Sequence, residues 1–410
     1  MVPQIQSIQL ARYRGFRDLQ RLSLARLNLL YGENNAGKSA LVRIPPLLAG
    51  SRASGRPGLD LDAPVLRRAG FREVQWRGPL PTDSDPDLIL GLGLADGAIW
   101  RWTFRWLDLR AIAVIQRIEI DERGEKTEFE LIDRAGQHPK DADYSGPEGP
   151  IRLVFDGLVP RAGASTLLDR HRDGLSNALD SVAWLGAMRQ GPTREGIARG
   201  ARGNLLGEGE EASALVLADV DLRRAVSAWF RTHSRHDVEP EALGAEMQRL
   251  VLRPVGAARY DVPFPDAGEG LQQVFPLVVA LERLRREGGL LTVEEPESHL
   301  HPRLQRALAE LVVAVLMAQP SASVILETHS EVFLVAALRA AAGALPGSVR
   351  VHWVEAGEDG VATIEEVPLD PAGRPTTPRL EQAFETMGMM RRELLDERRA
   401  GASQRGSSGG

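Results

Sequence analysis

The feature that most constrains the fold of this chain is the segment Tyr31–Ser39, with the sequence YGENNAGKS. From Gly32 onward it fits G-x-x-x-x-G-K-[ST], in which glycines let the backbone turn so that successive N–H groups converge on phosphate oxygens. The apolar run Leu27–Tyr31 before it is typical of a buried strand, and a helix is predicted to begin at Ser39. Strand, loop and helix in this order are what a phosphate-binding loop requires, so we expect an α/β fold built around it.

The side chains of the loop suit a nucleotide and its metal. Lys38 is predicted to reach the β- and γ-phosphates, and the Ser39 hydroxyl is predicted to hold Mg²⁺. An ordinary glycine-rich turn before a helix is the alternative, but the chain has only three lysines, so a chance match to the whole pattern is rare. The predicted nucleotide-binding residues of the loop are Gly32, Asn34, Asn35, Ala36, Gly37, Lys38 and Ser39.

Composition narrows the class of protein. At 410 residues the chain is long enough for two or more domains, or for one domain with large insertions. It contains no cysteine, which excludes disulfides and thiolate metal sites. The sequence has no long uncharged apolar run and no N-terminal signal, so we expect a cytoplasmic protein that neither spans a membrane nor is secreted. The net charge of −6 disfavours nucleic-acid binding through the whole surface and leaves a local arginine patch as the alternative.

The hydrophobic pattern separates a core from an insertion. Strands alternate with helices in residues 1–50 and 255–370, which are predicted to form one core. Residues 51–160 are predicted to form a β-rich insertion, because short apolar runs there are joined by tight turns. Three tryptophans at even spacing share one face of a predicted strand, where packing in a hairpin core is favoured over a stacking platform for bases: Trp100, Trp102 and Trp106.

The rest of the chain is predicted to be helical or disordered. Apolar residues recur at helical spacing in Glu208–Phe230 and Glu239–Leu252, which predicts a helical sub-region over 161–254. A C-terminal helix is predicted within 371–400. The small, polar residues of 401–410 are predicted to be a disordered tail.

Acidic side chains and a histidine end two buried strands of the core. Gly289–Glu295 ends in paired acids, and we expect Glu294 to bind Mg²⁺ directly or through water. Glu295 would then orient and deprotonate the attacking water as a general base. The strand Ser323–Glu327 is followed by His329, which is placed to contact a γ-phosphate. Alone, each of these residues is more often a solvated strand end or a surface residue, but their order behind a phosphate loop favours the catalytic interpretation.

A second glycine loop precedes another helix. Gly268 and Gly270 lead into the predicted helix Leu271–Glu287, whose free N–H groups could form a second anion site. One nucleotide does not need two such sites in one chain, which points to a head-to-tail homodimer, and an ordinary helix entry is the alternative. His299 and His301 are not expected to bind a metal, because no third ligand lies nearby in the sequence.

Four motifs in this order resemble the ATP-binding-cassette (ABC) type of ATPase: GENNAGKS, DAGEGLQQ, LLTVEEPESHLHP and ETHS. The most similar branch includes RecF-like repair proteins, structural-maintenance-of-chromosomes (SMC) heads and the ATPase part of the overcoming-lysogenization-defect (OLD) nucleases. EEPESHLHP and ETHS are typical of the OLD group and of its stand-alone AAA-type relatives in bacterial defence. The resemblance implies an α/β P-loop NTPase of ABC-ATPase type, with a mixed sheet flanked by helices, a β-rich insertion and a helical sub-region.

The resemblance also implies roles for individual residues. Lys38 and Ser39 match the Walker A lysine and serine of the family. Glu294 and Glu295 match its metal-binding and catalytic acids, and His329 matches its switch histidine. Together they imply Mg²⁺-dependent ATP hydrolysis driven by closure of a dimer.

The sequence departs from the family pattern at several positions. The metal acid is Glu294 where the wider superfamily has Asp, and the second glycine loop has Ala267 and no serine. The nucleotide-sensing glutamine is not fixed, with Gln75 and Gln190 as candidates. Too few residues follow ETHS for the acidic nuclease domain of OLD proteins, so DNA hydrolysis by this chain alone is not expected.

Three functions remain open at this stage. The first is an ATPase that closes as a homodimer and acts on DNA or on a separately encoded nuclease or toxin, in DNA repair or phage defence. The second is a nucleotide-gated binding or scaffold module with negligible turnover. The third, the motor subunit of a membrane transporter, is disfavoured by the β-rich insertion and the EEPE motif.

Overall fold

The computed structural model describes residues 4–54, 58–80, 86–108, 111–132, 141–194, 196–197, 206–244, 247–256, 260–370, 373–378 and 380. The strands of this described part are, in chain order, β1 (Ile5–Ala11), β2 (Gln20–Ser23), β3 (Leu27–Gly32), β4 (Leu88–Leu94), β5 (Ala98–Leu107), β6 (Ile112–Glu122), β7 (Glu125–Leu131), β8 (Asp141–Gly146), β9 (Gly149–Asp156), β10 (Val159–Pro160), β11 (Val182–Leu185), β12 (Gly196–Ile197), β13 (Leu206–Gly207), β14 (His236–Ala242), β15 (Met247–Pro254), β16 (Val262–Pro263), β17 (Gly289–Glu294), β18 (Ala322–Glu327), β19 (Val349–Ala356) and β20 (Ala362–Val367). The α-helices are α1 (Lys38–Val42), α2 (Ile44–Ala53), α3 (Phe71–Val74), α4 (Thr166–Asp180), α5 (Ala212–Ala218), α6 (Val220–Ser234), α7 (Glu269–Glu287), α8 (Pro302–Ala318) and α9 (Glu331–Ala341).

The strand that carries the phosphate loop lies inside a sheet of seven strands, in the order β13-β11-β17-β18-β3-β19-β20. Neighbouring strands in it are parallel except β19 and β20, which pair antiparallel. In the register, Glu294 is opposite Glu327, and Glu327 is opposite Leu30. The carboxyl ends of β17 and β18 therefore lie at the same sheet edge as the loop after β3, and β18 is the nearer strand.

Both faces of this sheet are buried. Leu30 and Ile325 belong to a core shared with α2, α4 and the antiparallel sheet described next. Leu29 and Val324 point the other way, into a core shared with α5 to α9. Burial on both faces explains why these strands read as continuous apolar runs in the sequence. The mixed sheet between helical and β layers confirms the predicted α/β fold.

The second sheet has nine antiparallel strands in the order β10-β9-β8-β7-β6-β5-β4-β1-β2. The strands predicted within residues 51–160 thus continue into the N-terminal hairpin of β1 and β2. Trp100 and Trp102 are fully buried, and Trp102 donates from Nε1 to the Leu158 carbonyl at 3.2 Å. Trp106 is half-buried and stacks on Phe71, with ring centroids 5.6 Å apart. The prediction that these tryptophans pack in a core is confirmed.

One predicted helix is wrong. Glu239–Leu252 falls on β14 and β15, which pair antiparallel and form a small sheet with β12 and β16. Gly244 accounts for part of the difference, because glycine is unfavourable in the interior of a helix and here lies between two strands. Pro240 does not exclude a helix, since it lies in the first turn of the predicted one, but it is also tolerated in a strand at the edge of a sheet. The other predicted segment, Glu208–Phe230, contains two helices separated at Asp219, whose side chain caps α6 by accepting from Leu222 N at 2.9 Å.

The predicted C-terminal helix and tail lie outside the described residues, apart from 373–378 and 380, which do not test them. Among the described helices, none is both long and apolar enough to cross a membrane.

Candidate nucleotide-binding site

Two glycines let the phosphate loop fold back on the sheet. Gly32 has φ 144°, and a Cβ there would lie 2.1 Å from the Val354 carbonyl oxygen. Gly37 has φ 103°, and a Cβ there would lie 2.9 Å from the Phe16 ring. A side chain at either position would combine an unfavourable backbone conformation with a steric clash, so the loop needs glycine at both ends.

Lys38 lies inside the loop that it closes. Its side chain is almost fully buried, and Nζ donates to the Gly32 carbonyl at 2.9 Å and to the Glu33 carbonyl at 2.5 Å. Burial lowers the pKa of the Lys38 ammonium. Both partners of the Lys38 ammonium are carbonyl oxygens of the phosphate loop. They hold the positive charge within the loop, where a triphosphate would bind.

The loop opens onto a cleft of about 610 Å³. Most of the predicted loop residues line it, together with acids and a histidine from two other strand ends. The lining residues that bear on function are Asn34, Asn35, Ala36, Gly37, Lys38, Ser39, Glu295, Glu327 and His329, with Arg14, Arg43 and Arg67 as further cations. Four predicted site residues are not among them: Gly32, Glu294, Gly268 and Gly270.

Ser39 bonds to an acid that sequence reasoning had placed only as the end of a strand. Its Oγ donates to Oε1 of Glu327 at 2.7 Å. Glu327 is 3% exposed, and its second oxygen, Oε2, has no hydrogen-bond partner among the described residues. Burial raises the pKa of the Glu327 carboxyl to about 7. A buried acid next to β3 and beside the predicted metal-binding serine is therefore part of the site.

Glu294, the predicted metal-binding acid, does not line the cleft and binds two arginines. Its Oε1 accepts from Arg43 Nε at 2.7 Å and from Trp184 Nε1 at 3.1 Å, and its Oε2 accepts from Arg43 Nη2 at 2.5 Å. Oε2 also accepts from Arg67 Nη2 at 3.2 Å. Glu294 is buried beneath the cleft, and the two arginines that it binds line the cleft.

Glu295 lines the cleft from a strained backbone. Its φ is 44°, in the left-handed region that side-chain-bearing residues rarely adopt. The strain is held by two contacts, since Glu295 N donates to the Glu327 carbonyl at 2.9 Å and Ser298 Oγ donates to Glu295 Oε2 at 2.8 Å. Backbone strain of this kind clusters at functional sites.

His329 lines the same cleft from the turn after β18. Its backbone N donates to Glu297 Oε1 at 2.7 Å, which fixes the turn after β18. Burial, aided by the nearby Lys38 cation, lowers the pKa of the imidazole. His329 is therefore neutral at pH 7 and can donate one hydrogen bond and accept another in the cleft.

Arg189 ties the end of β17 to the first turns of α7. Its guanidinium is 4% exposed and donates to four backbone carbonyls: Gly186 at 3.1 Å, Gln273 at 3.1 Å, Glu294 at 3.0 Å and Glu295 at 3.1 Å. Gln273 Nε2 returns a bond to the Arg189 carbonyl at 2.8 Å. Burial lowers the pKa of the guanidinium to about 10, so it stays protonated at pH 7. The sequence gives no signal for this role, because bonds to backbone carbonyls leave no residue pattern.

The second glycine loop packs against the segment after β17. Gly268 precedes the first turn of α7, and a Cβ on Gly270 would lie 2.9 Å from the His299 carbonyl oxygen. His301 caps α8 by accepting from Arg303 N at 3.3 Å. In the described ranges no group of three or more histidine or acidic side chains that could hold a metal ion is found.

Neither candidate for the nucleotide-sensing glutamine lines the cleft. Gln75 Nε2 donates to the Pro86 carbonyl at 2.6 Å, and Gln190 Nε2 donates to Glu208 at 3.2 Å. Both side chains are held by local contacts.

The residues present fit a hydrated Mg²⁺. This ion prefers oxygen ligands and is usually held by one or two protein groups together with phosphate oxygens and water. The Ser39 hydroxyl and the unpartnered Oε2 of Glu327 supply such oxygens at the mouth of the phosphate loop.

Comparisons with known proteins agree with this geometry. Residues 231–336, which include α7, β17, α8 and β18, match a family described as "AAA domain, putative AbiEii toxin, Type IV TA system". None of the curated proteins matches the chain in sequence. A crystal structure of an Smc head bound to the C-terminal winged-helix domain of ScpA aligns with a TM-score of 0.50 at 11% identity, covering 90% of this chain and 98% of that one.

The chain has the fold of an SMC head domain. Two further SMC-head structures align less well. The head domain from Thermotoga maritima covers 89% of this chain and all of its own, at 13% identity and a TM-score of 0.42. An Smc head with an extended coiled coil, bound to the C-terminal domain of ScpA derived from Pyrococcus furiosus, covers 95% of this chain and 100% of its own, at 11% identity and a TM-score of 0.48. The alignment with the Smc head bound to ScpA confirms the predicted fold, and at this identity it shows the fold alone.

Proposed function

We propose that the chain binds ATP with Mg²⁺ and hydrolyses it, as a cytoplasmic ABC-type ATPase of the OLD-like branch. The observation that carries the proposal is the convergence, in one cleft, of residues from three separate strand ends. Lys38 and Ser39 follow β3, Glu295 follows β17, and His329 follows β18. An ordinary glycine-rich turn would not bring a second and third strand end, with acids and an imidazole, to face its lysine.

Each residue has a defined task in this proposal. Lys38 and the loop N–H groups bind the β- and γ-phosphates, and the Ser39 hydroxyl supplies a metal ligand. Glu295, whose carboxylate is oriented by Ser298, accepts a proton from the attacking water. His329 is neutral and donates a hydrogen bond to a γ-phosphate oxygen. A Mg²⁺ ion held there would supply positive charge for the phosphate oxygens.

The acid that holds Mg²⁺ with Ser39 has two candidates. The sequence pattern favours Glu294, and the contacts of Ser39 favour Glu327. Arg43 and Arg67, both in the cleft, add positive charge for the phosphates.

We further propose that two copies of the chain enclose the nucleotide. Gly268 and Gly270 do not line the cleft of their own chain, but they present the start of α7 as a second anion site. In a head-to-tail homodimer the loop at Gly268 would contact the γ-phosphate held by the other copy. Closing and opening of the dimer would act on DNA or on a separately encoded nuclease or toxin, in DNA repair or phage defence.

Steady-state phosphate release, measured with and without DNA, tests the proposal. Lys38→Ala should abolish nucleotide binding, because the ammonium is the cation at the centre of the loop. Glu295→Gln should keep ATP binding, lower turnover by about 100-fold or more and trap an ATP-bound dimer visible by light scattering. Exposed Glu310 on α8 offers a matched control, since Glu310→Gln should change neither binding nor turnover.

Two results would overturn parts of the proposal. If Glu295→Gln hydrolyses ATP at the parent rate, the general base has been assigned wrongly. If the parent binds ATP and dimerises but releases no phosphate under any condition, the chain is a nucleotide-gated binding module instead.

A further inference from the structure

We propose that Glu327, and not Glu294, provides the carboxylate that holds Mg²⁺ beside Ser39, while Glu294 positions Arg43 and Arg67 at the phosphates. The inference rests on the proposed nucleotide site and changes only which acid binds the metal ion. The two candidates are the acids at the ends of β17 and β18.

The order of strands favours Glu327. β18 pairs directly with β3, and β17 lies one strand further away. Neighbouring strands are about 4.8 Å apart, so pairing brings the end of β18 directly beside the end of β3, from which the phosphate loop begins. The register places Glu327 opposite Leu30, two residues before the first glycine of the loop.

The contacts of Glu327 leave one oxygen for a metal. Oε1 accepts the Ser39 hydroxyl at 2.7 Å, so the two groups already lie at the separation of neighbouring ligands on one ion. Oε2 is buried without a hydrogen-bond partner among the described residues, although the side chain lines the cleft. A buried carboxylate oxygen without a partner is costly in a protein interior, and a cation is the partner that satisfies it best.

The contacts of Glu294 leave it no free oxygen. Arg43 binds it through two nitrogens, Arg67 adds a third bond and Trp184 a fourth, so each oxygen already accepts two hydrogen bonds. Binding a metal directly would mean giving up a buried ion pair with a guanidinium, which would leave that charge uncompensated. The same contacts explain what Glu294 does, because they hold Arg43 and Arg67 in the cleft.

Metal affinity, measured separately from turnover, decides between the two acids. Mn²⁺ is titrated into the full chain with a non-hydrolysable ATP analogue, and free Mn²⁺ is followed by electron paramagnetic resonance. Glu327→Gln should weaken Mn²⁺ binding in the ternary complex by about 10-fold or more. Binding of the analogue in excess EDTA should stay at the parent level.

Glu294→Gln is the matched control. With the analogue at a concentration that saturates this variant, its Mn²⁺ affinity should stay within about threefold of the parent, below the effect expected for lost metal contacts. Its unfolding midpoint should fall, since Arg43 loses a buried charge partner. The reverse pattern, or equal metal affinities for the parent and Glu327→Gln, would overturn the inference.

The absence of cysteine from the sequence allows a second, independent measurement. Glu327→Cys would be the chain's only thiol, and with the analogue present it should bind Cd²⁺ and develop a thiolate–metal absorption band. Glu294→Cys should develop no such band. A band at position 294 alone would refute the inference even if Glu327→Gln failed to fold.

Failure of the inference can be distinguished from failure of the proposed function. If the parent does not bind the analogue with or without metal, or if Lys38→Ala binds it as tightly as the parent does, both the inference and the proposed function are wrong. If the parent binds the analogue with Mn²⁺ and Glu327→Gln binds the metal equally well, only the assignment of Glu327 falls.

Discussion

Replacing Arg189 by methionine should destabilise the fold more than any change at the surface of the same loop. The guanidinium is 4% exposed and donates to four carbonyls, on the Gly186 turn, on α7 and at Glu294 and Glu295. Each hydrogen bond from a charged group contributes about 1.5–3 kcal/mol. Bonds that share one side chain are not additive, and methionine recovers some packing, so the expected loss is about 3–5 kcal/mol in the free energy of unfolding.

Equilibrium urea unfolding followed by tryptophan fluorescence measures this loss close to its origin, since Trp184 bonds to Glu294. Arg194→Met is the matched control, because Arg194 lies five residues further along, is 70% exposed and pairs only at the surface with Asp266. Its unfolding midpoint should match that of the parent. If Arg189→Met unfolds at the same urea concentration as Arg194→Met, the four carbonyl contacts do not hold these elements together.

Two further predictions follow from single residues. Gly37→Ala should lower the free energy of unfolding by about 1–3 kcal/mol, because Gly37 has a left-handed backbone conformation and a Cβ there would clash with Phe16. It should also weaken ATP binding measured by calorimetry. Gly97→Ala is the control and should leave ATP binding unchanged, because a Cβ at Gly97 meets nothing within 4 Å. Burial lowers the pKa of His352 from 6.5 to about 4, so the unfolded chain takes up a proton first as the pH falls, and the fold should lose up to about 3 kcal/mol between about pH 6.5 and pH 4. In urea unfolding, His352→Gln should lose less free energy of unfolding than the parent over that pH range. Equal losses for the two proteins would contradict the lowered pKa of His352 as their cause.

The sequence was most informative where the physics is local. Glycine at 32 and 37 is required by backbone conformation, and continuous apolar runs follow from burial on both faces of the central sheet, so strand, loop and helix could be predicted. The helix predicted over Glu239–Leu252 is wrong because apolar spacing over so few residues fits both the helical and the strand period.

The partners of the acids could not be predicted in the same way. Glu294 and Glu327 each end a buried strand, and the sequence pattern does not indicate which of these strands pairs with β3. The chain inserts β18, the later strand, between β17 and β3, which brings Glu327 to Ser39 and leaves Glu294 to Arg43. Strand order is a tertiary property, and it decides the chemistry here.

In the proposed dimer, a chain of hydrogen bonds through Arg189 links the second glycine loop to the proposed catalytic base. Gly268 begins the helix on which Gln273 lies, and Gln273 and Arg189 exchange two hydrogen bonds. Arg189 in turn holds the carbonyl of Glu295, the proposed base. A γ-phosphate that draws the start of α7 toward the partner copy would therefore act on Glu295 through one buried cation. Arg189→Lys keeps the charge but cannot span four carbonyls, so it should lower kcat while the ATP dissociation constant stays at the parent value, and a fall in ATP affinity alone would exclude this link.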